Sequence, residues 1–318
     1  MALPTAVLAA LRARARRWLQ PPAPEGLDPR GYQPRLPLPE GFTKERILQA
    51  FYSVRYDGRE YPELRGYADG DCERFLHTLE LVPKGEGRLL EIGANPYFTT
   101  LLMRRFRPGY TIEATNYFGG EPGIAHQHVA YDGFDGTPDA FDVAYHSVNV
   151  ETTPLPFDDA SLDVVVFGEV LEHMTNHPWF AIAEIARVLK PGGTLVLTTP
   201  NVARLENIVA LVEGRNLYDP FSKYGPYGRH NREYTRDELH RLLAHGGFEV
   251  EVSFTANVHE DHPASNVDWQ ALASAIARIP HRERDLGQYL FTRWRKVAAA
   301  KTLRPAWLYR SYAAEQLS

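Results

Sequence analysis

The sequence predicts an α/β protein: a doubly wound, mostly parallel sheet of seven strands whose final strand is antiparallel, preceded by a helical N-terminal extension. Three observations carry this. Short apolar strands alternate with helical segments from about residue 88 to 245, the pattern of a parallel sheet covered on both faces. The stretch RLLEIGANPYF at 88–98 runs an apolar strand into an acid, a glycine and then a helix. PGG at 191–193 stops a helix just before another strand.

Taken in order, residues 4–20 read as an amphipathic helix with Pro4 in its first turn and Leu8, Leu11, Ala15, Trp18 and Leu19 along one stripe. Its arginines follow the apolar part, which is not the order of a signal peptide. Residues 21–40 are proline-rich and predict an extended arm. Helices are expected at 43–56 and 69–82, and together residues 1–84 form the N-terminal extension. Strands follow at 88–92, 110–115, 141–147, 162–168 and 194–199, and helices at 97–106, 176–189, 203–213 and 235–245. FEVEVSF after Gly247, and Gln288–Trp294, alternate with period two and predict a closing, partly antiparallel pair. The main domain is therefore expected over 85–296, with a basic, aromatic tail over 297–318. Residues 117–140 are Gly-rich and read as a long irregular functional loop. His126 and His128 in it read as solvated.

Composition bounds the function. A hydrophobic share of 44% and a charged share of 24% are those of an ordinary globular protein. The single cysteine, Cys72, allows no internal disulfide, which fits a reducing, cytoplasmic setting. The net charge of −5 is unevenly spread: residues 1–20 carry four arginines and no acid, and residues 281–310 carry eight Lys or Arg against Glu283 and Asp285. The rest of the chain is therefore near −15, which argues against DNA as a partner. The basic ends leave room for peripheral contact with an anionic inner membrane face, for pairing between copies in a homo-oligomer, or for packing on the domain itself.

The loop after the first strand has one early glycine where a pyrophosphate site needs several, and no Walker lysine pattern is present. An adenosine ligand without phosphates needs less: one glycine admits the ligand's backbone, and the acid at the strand end reaches a cationic amine. Here the chain resembles the class I S-adenosylmethionine-dependent methyltransferases, of the type 11-like group with many sugar and small-molecule O-methyltransferases. LLEIGANPYF, LPFDDASLDVVVFGEVLEHM, IARVLKPGGTLVLTTPN and YTRDELHRLLAHGGFEVE carry the resemblance, over about 86–254 with the closing strand to 296. It implies a Rossmann-like fold and S-adenosylmethionine as cofactor. It places Glu91 and Gly93 at the first motif's acid and glycine, and Asn95 and Tyr97 where further glycines are common. Asn116 falls where an acid usually meets the ribose hydroxyls, Asn149 and Val150 where adenine is contacted. Turn chemistry is the competing account of Asn116 and Asn149.

GEVLEHM at 168–174 places Glu169, Glu172 and His173 at i, i+3 and i+4, which predicts one helix face; His230 precedes a later helix. Two carboxylates and two imidazoles can hold a divalent metal, and oxygen and nitrogen donors without thiolate suit Mg²⁺ or Mn²⁺. The pattern resembles the small-RNA 2′-O-methyltransferases, whose metal ligands Glu169, Glu172, His173 and His230 would match position for position. EVLEH also recurs in methyltransferases that use no metal. In that case Glu172, His173 and His230 remain candidates for the catalytic side chains, a histidine being a sensible base for a hydroxyl near neutral pH.

The aromatic, polar segment 217–234 is expected to cover the substrate, since sugar faces stack on aromatic rings. The expected activity is methyl transfer to a hydroxyl of a saccharide, glycan precursor or glycosylated small molecule, in polysaccharide biosynthesis by analogy. Two alternatives stay open: an RNA 2′-O-methyltransferase with the metal site, and a non-catalytic adenosylmethionine-binding scaffold.

Overall fold

The computed structural model describes residues 34–259, 265–280, 282 and 284–317. The expected helix at 4–20 and most of the proline-rich arm lie outside these residues. Helices α1 (Lys44–Tyr52) and α2 (Glu63–Leu81) flank a short hairpin, β1 (Arg55–Tyr56) and β2 (Arg59–Glu60). The alternating part follows: β3 (Gly87–Ile92), α3 (Phe98–Phe106), β4 (Tyr110–Asn116), β5 (Gly123–Asp132), β6 (Pro138–Ser147), β7 (Leu162–Gly168), α4 (Pro178–Val188), β8 (Leu189–Pro200), α5 (Leu205–Val212), α6 (Arg236–His245), β9 (Phe248–Ala256), α7 (Trp269–Ile276) and β10 (Tyr289–Lys296).

These strands form one sheet in the order β2-β1-β5-β6-β4-β3-β7-β8-β10-β9. Its seven-stranded part, β6 to β9, is the predicted fold: β6, β4, β3, β7 and β8 are parallel, and β10 runs antiparallel between β8 and β9. Strands β5, β1 and β2 extend the sheet beyond β6 by antiparallel pairing.

The expected loop at 117–140 is therefore mostly strand. Ten residues of β5 pair with ten of β6, Gly123 opposite Ser147 through Asp132 opposite Pro138. The sequence hid this strand because it is largely exposed or half-buried along its length, so no apolar alternation marks it. His128 sits within it, its Nδ1 2.8 Å from Asp142.

Adjacent residues of the central strands serve opposite faces. Leu89, Val164 and Val166 pack with α1, α2 and α3, while Leu90, Val165 and Phe167 pack with α4 and α6. Helix α6 starts on a capping box, the Thr235 hydroxyl accepting from Glu238 N–H and the Glu238 carboxylate from Thr235 N–H.

The C-terminal stretch after β10 lies on the domain. Val297 and Ala298 donate to the Gly247 carbonyl, Trp307, Leu308 and Leu317 pack on the core under α4 and α6, and Tyr309 is buried. No helix among the described residues is long and apolar enough to cross a membrane.

Candidate functional site

The parallel strands β3, β4 and β7 end together, and two cavities open around their C-terminal ends, where ligands bind in such sheets, with a third beyond them past Met174. Gly93, directly after β3, has φ +74°, and a Cβ there would lie 2.8 Å from Val170 Cγ2. A glycine is therefore needed both for the turn and for the space. The rest of the loop does without further glycines. Tyr97 takes the left-handed conformation itself, at φ 68°, fully buried. Asn116 holds this loop in place: its Oδ1 accepts from Asn95 N–H at 2.8 Å and its Nδ2 donates to the Tyr97 hydroxyl at 3.1 Å. The Tyr97 hydroxyl in turn donates to Gln127 on β5.

One cavity, of about 170 Å³, lies between Gly93, Asn116, the 148–151 turn, Glu169 and Tyr227. Asn149 and Val150 line it, as expected. The Asn149 side chain is engaged on both sides, accepting from Glu151 N–H and donating to the Tyr227 hydroxyl. A smaller cavity, of about 90 Å³, shares Gly93 and Glu169 with the first and is lined by Glu91, Asn95, Thr198, Tyr67 and Arg74. Glu91 is buried and accepts from the Thr100 hydroxyl; burial pushes its carboxyl up to about 8.

Arg74 and Tyr67, both on α2, escaped the sequence reading. Arg74 is buried, donates to Asp71 Oδ1 at 2.7 Å and to the Tyr67 hydroxyl at 2.6 Å, and faces Glu169 across the small cavity. Burial disfavours its charge, but Tyr67, Glu169 and Asp71 outweigh that and hold it charged. The available signal was the Asp71/Arg74 pair on the apolar stripe of α2, where a lone surface arginine has no reason to stand.

The expected helix face at 169–173 is not a helix. Glu169 stands at φ 54° and Leu171–His173 form a single 3-10 turn, with α4 beginning only at Pro178. A glutamate in the left-handed region costs about 1–3 kcal/mol. It is fixed there by Thr198, whose carbonyl accepts from Glu169 N–H and whose hydroxyl donates to its Oε1 at 2.8 Å.

Three of the four predicted metal ligands still converge, by another route. The Glu172 carbonyl accepts from Asn231 and Arg232 N–H, and the Asn231 amide donates to the His173 carbonyl, so the two segments are tied together. As a result Glu172, His173 and His230 each offer a ligand atom within 4.8 Å of the others. Glu169 is not in that group. His173 Nδ1 faces the Arg229 carbonyl at 3.0 Å, and His230 Nδ1 faces Glu233 Oε1 at 3.0 Å. Both bonds favour the tautomer with the proton on Nδ1, which presents a lone pair on Nε2. Glu172 is fully buried; its Oε2 accepts from the Thr199 hydroxyl, but its Oε1 has no hydrogen-bond partner.

Electrostatics separates these groups. Burial raises the carboxyl groups of Glu169 and Glu172, and for Glu169 the neighbouring Glu172 charge adds to this. Burial, then the charge of His230, lowers His173. Burial alone would lower His230, but Glu233 and Glu172 outweigh it and raise the imidazole.

The third cavity, of about 750 Å³, meets the cluster at His230 and the first cavity at Met174. Segment 217–234 lines it through Leu217, Tyr218 and residues 230–234, and the C-terminal stretch contributes Leu308 and Tyr309.

The class of protein follows from the sheet order and the cleft at its strand ends. The chain matches the model of the methyltransferase domain family over residues 64–252 and belongs to that family. It is similar to an "Uncharacterized methyltransferase" of Mycobacterium marinum, 30% identical over 160 residues, which are 49% of this chain and 57% of that protein. It is also similar to a "Probable S-adenosylmethionine-dependent methyltransferase" of Mycolicibacterium smegmatis, 40% identical over 98 residues, 30% of this chain and 32% of the relative. The chain thus spans at most a little over half the length of these curated relatives. Among solved structures, an S-adenosylmethionine-dependent methyltransferase of Archaeoglobus fulgidus aligns over 73% of this chain and 94% of its own, at 14% identity and a TM-score of 0.45.

Proposed function

We propose that the protein is an S-adenosylmethionine-dependent O-methyltransferase whose acceptor is a hydroxyl of a saccharide, glycan precursor or glycosylated small molecule. The observation that carries this reading is the junction at Gly93 and Glu169. There a groove lined mostly by uncharged groups, Asn149 and Val150 among them, with Glu151 and Glu169 at its edges, opens into a polar cavity holding Glu91, Glu169 and Arg74. The groove suits an adenosine. The cavity suits an amino acid end, with Arg74 facing its carboxylate and the two glutamates its ammonium and the sulfonium.

In this reading the acceptor hydroxyl enters through the large cavity, and bound S-adenosylmethionine would supply the electrophilic methyl group. His173 or His230 would take the hydroxyl proton at Nε2. Glu233, hydrogen-bonded to His230 Nδ1, stabilises the imidazolium that results. The aromatic and polar side chains of 217–234 support a sugar-like acceptor.

A second reading, favoured by Glu172 Oε1, which has no hydrogen-bond partner and lies 3.7 Å from His173 Nε2, and by the convergence of His230 on the pair, is a divalent cation held by Glu172, His173 and His230. The donor set fits, with the other ring nitrogens backed by a carbonyl and a carboxylate. Such an ion would supply Lewis acidity, lowering the pKa of a nearby hydroxyl.

The test is calorimetric titration with S-adenosylmethionine and its demethylated product, followed by methyl-label transfer to fractionated glycans, small metabolites and RNA. Binding of both and label in a glycan or glycoside fraction is the expected result. Label in RNA would replace the saccharide, and absence of cofactor binding would overturn the reading outright.

A further inference from the structure

The large cavity is lined by two unlike sets of residues. One includes His230, Asn231, Glu233 and Thr235. The charges of that set are already paired within the protein: Glu233 with Arg204 and His230, and Arg232 with Glu238 at 2.6 Å. The Asn231 amide donates to the His173 and Pro226 carbonyls. This set therefore asks for no ionic ligand, and the atom it leaves open is His230 Nε2, beside Glu172.

The other set is apolar: Pro178, Val202, Leu211, Leu217 and Leu308. The apolar surface continues past Leu211. Leu211 is 59% exposed, its neighbour Val212 62% and Tyr218 80%. Helix α5 buries Leu205, Val209 and Ala210 instead, so packing does not account for an apolar Leu211–Val212 end in water. A cavity of about 750 Å³ is in the range of pockets for drug-sized ligands and far exceeds what one sugar ring needs.

We infer that the acceptor is a neutral amphiphile: a hydroxylated head set against His230, carrying an apolar chain or ring system that lies along Leu217 and Leu308 and leaves over Leu211. A glycolipid or a glycoside with an apolar aglycone has this chemistry, whereas a free polysaccharide does not. The inference rests on the reading of this cavity as the acceptor site.

The probe is a series of alkyl β-glucosides from methyl to octyl, titrated as monomers into the full chain together with the demethylated cofactor. Affinity should rise about three- to four-fold per added methylene. Leu211→Asp and Leu217→Asp should each weaken octyl glucoside at least about ten-fold, leaving the affinity for the demethylated cofactor unchanged. Leu211 is exposed, so that variant keeps the fold. Equal affinity for methyl and octyl glucoside, or octyl binding that survives both substitutions, overturns the inference while leaving the methyltransferase reading intact. Failure of the demethylated cofactor to bind wild-type protein sinks the parent reading instead.

Discussion

The two walls of the cleft differ in what their polar groups are doing. On the β3 side they are engaged with each other. Asn116 uses both ends of its amide on the loop, the Tyr97 hydroxyl reaches Gln127, and Glu91 holds the Thr100 hydroxyl. On the β7 side Glu172 and the two histidines are engaged at one end only: Glu172 Oε2 and both Nδ1 atoms have partners, whereas Glu172 Oε1 has no hydrogen-bond partner and stands 3.7 Å from His173 Nε2, with His230 converging on the pair. A buried, unsatisfied carboxylate oxygen costs about 1–3 kcal/mol or more, so Glu172 Oε1 calls for an explanation. On the proposed reading, the β3 wall serves mainly by its shape, and the β7 wall is where protons or a cation would be handled.

The largest effects should follow from the open wall. His230→Ala is expected to lower methyl transfer by about 10²–10⁴-fold, with cofactor affinity within about two-fold of wild type. Exhaustive EDTA treatment then divides the two readings. Loss of turnover restored by Mg²⁺ or Mn²⁺ assigns a cation to Glu172, His173 and His230, whereas survival leaves a histidine as a metal-free base. If His173→Ala and His230→Ala both retain full activity, the contrast between the walls is broken. On the shaped wall, Gly93→Val should weaken S-adenosylmethionine by at least about 30-fold, because the side chain meets Val170 and the backbone sits at φ +74°. Calorimetry reads this directly, and an unchanged affinity would remove the cofactor from this loop.

Much of this contrast was legible in the sequence, for reasons that can be named. The strands ending at Ile92, Asn116 and Gly168 are apolar runs with turn signals behind them, so the cleft could be placed before any coordinates. Convergence of Glu172, His173 and His230 was also legible, although helical spacing was the wrong reason. The backbone at Glu169 turns left-handed, and it is the 229–233 segment, bonded to the Glu172 carbonyl, that closes the cluster. Spacing along one segment cannot report a contact made by two. For the same reason Arg74 was missed, since its meaning comes from Glu169 across the cavity. Strand β5 was missed because an exposed strand carries no apolar alternation. Leu308 and Tyr309 read in sequence as part of a basic, aromatic tail for which packing on the domain was one of several alternatives; the charges of 293–310 are visible in sequence, and the core that receives Trp307, Leu308 and Tyr309 is not.

The smallest expected effect concerns Glu91, and it tests whether the shaped wall is electrically passive. Burial raises its carboxyl from about 4.5 in the unfolded chain to about 8 in the fold. Between those values the native state binds the proton and the unfolded chain does not. The contribution is therefore fully present below about pH 4.5 and is lost as pH rises towards 8, with a slope of at most about 1.4 kcal/mol per pH unit. Glu91→Gln, which keeps the shape and cannot ionise, should remove that part of the slope, so its advantage in thermal midpoint over wild type should be larger at pH 8 than at pH 6. Cofactor binding supplies the complementary measurement. If the ligand's ammonium approaches Glu91, the carboxyl must ionise, and binding near pH 7 should release protons. Titration in buffers of different ionisation enthalpy counts them, and the count should fall in Glu91→Gln. An unchanged count would mean that the ammonium meets Glu169 instead, and that the β3 wall contributes shape alone.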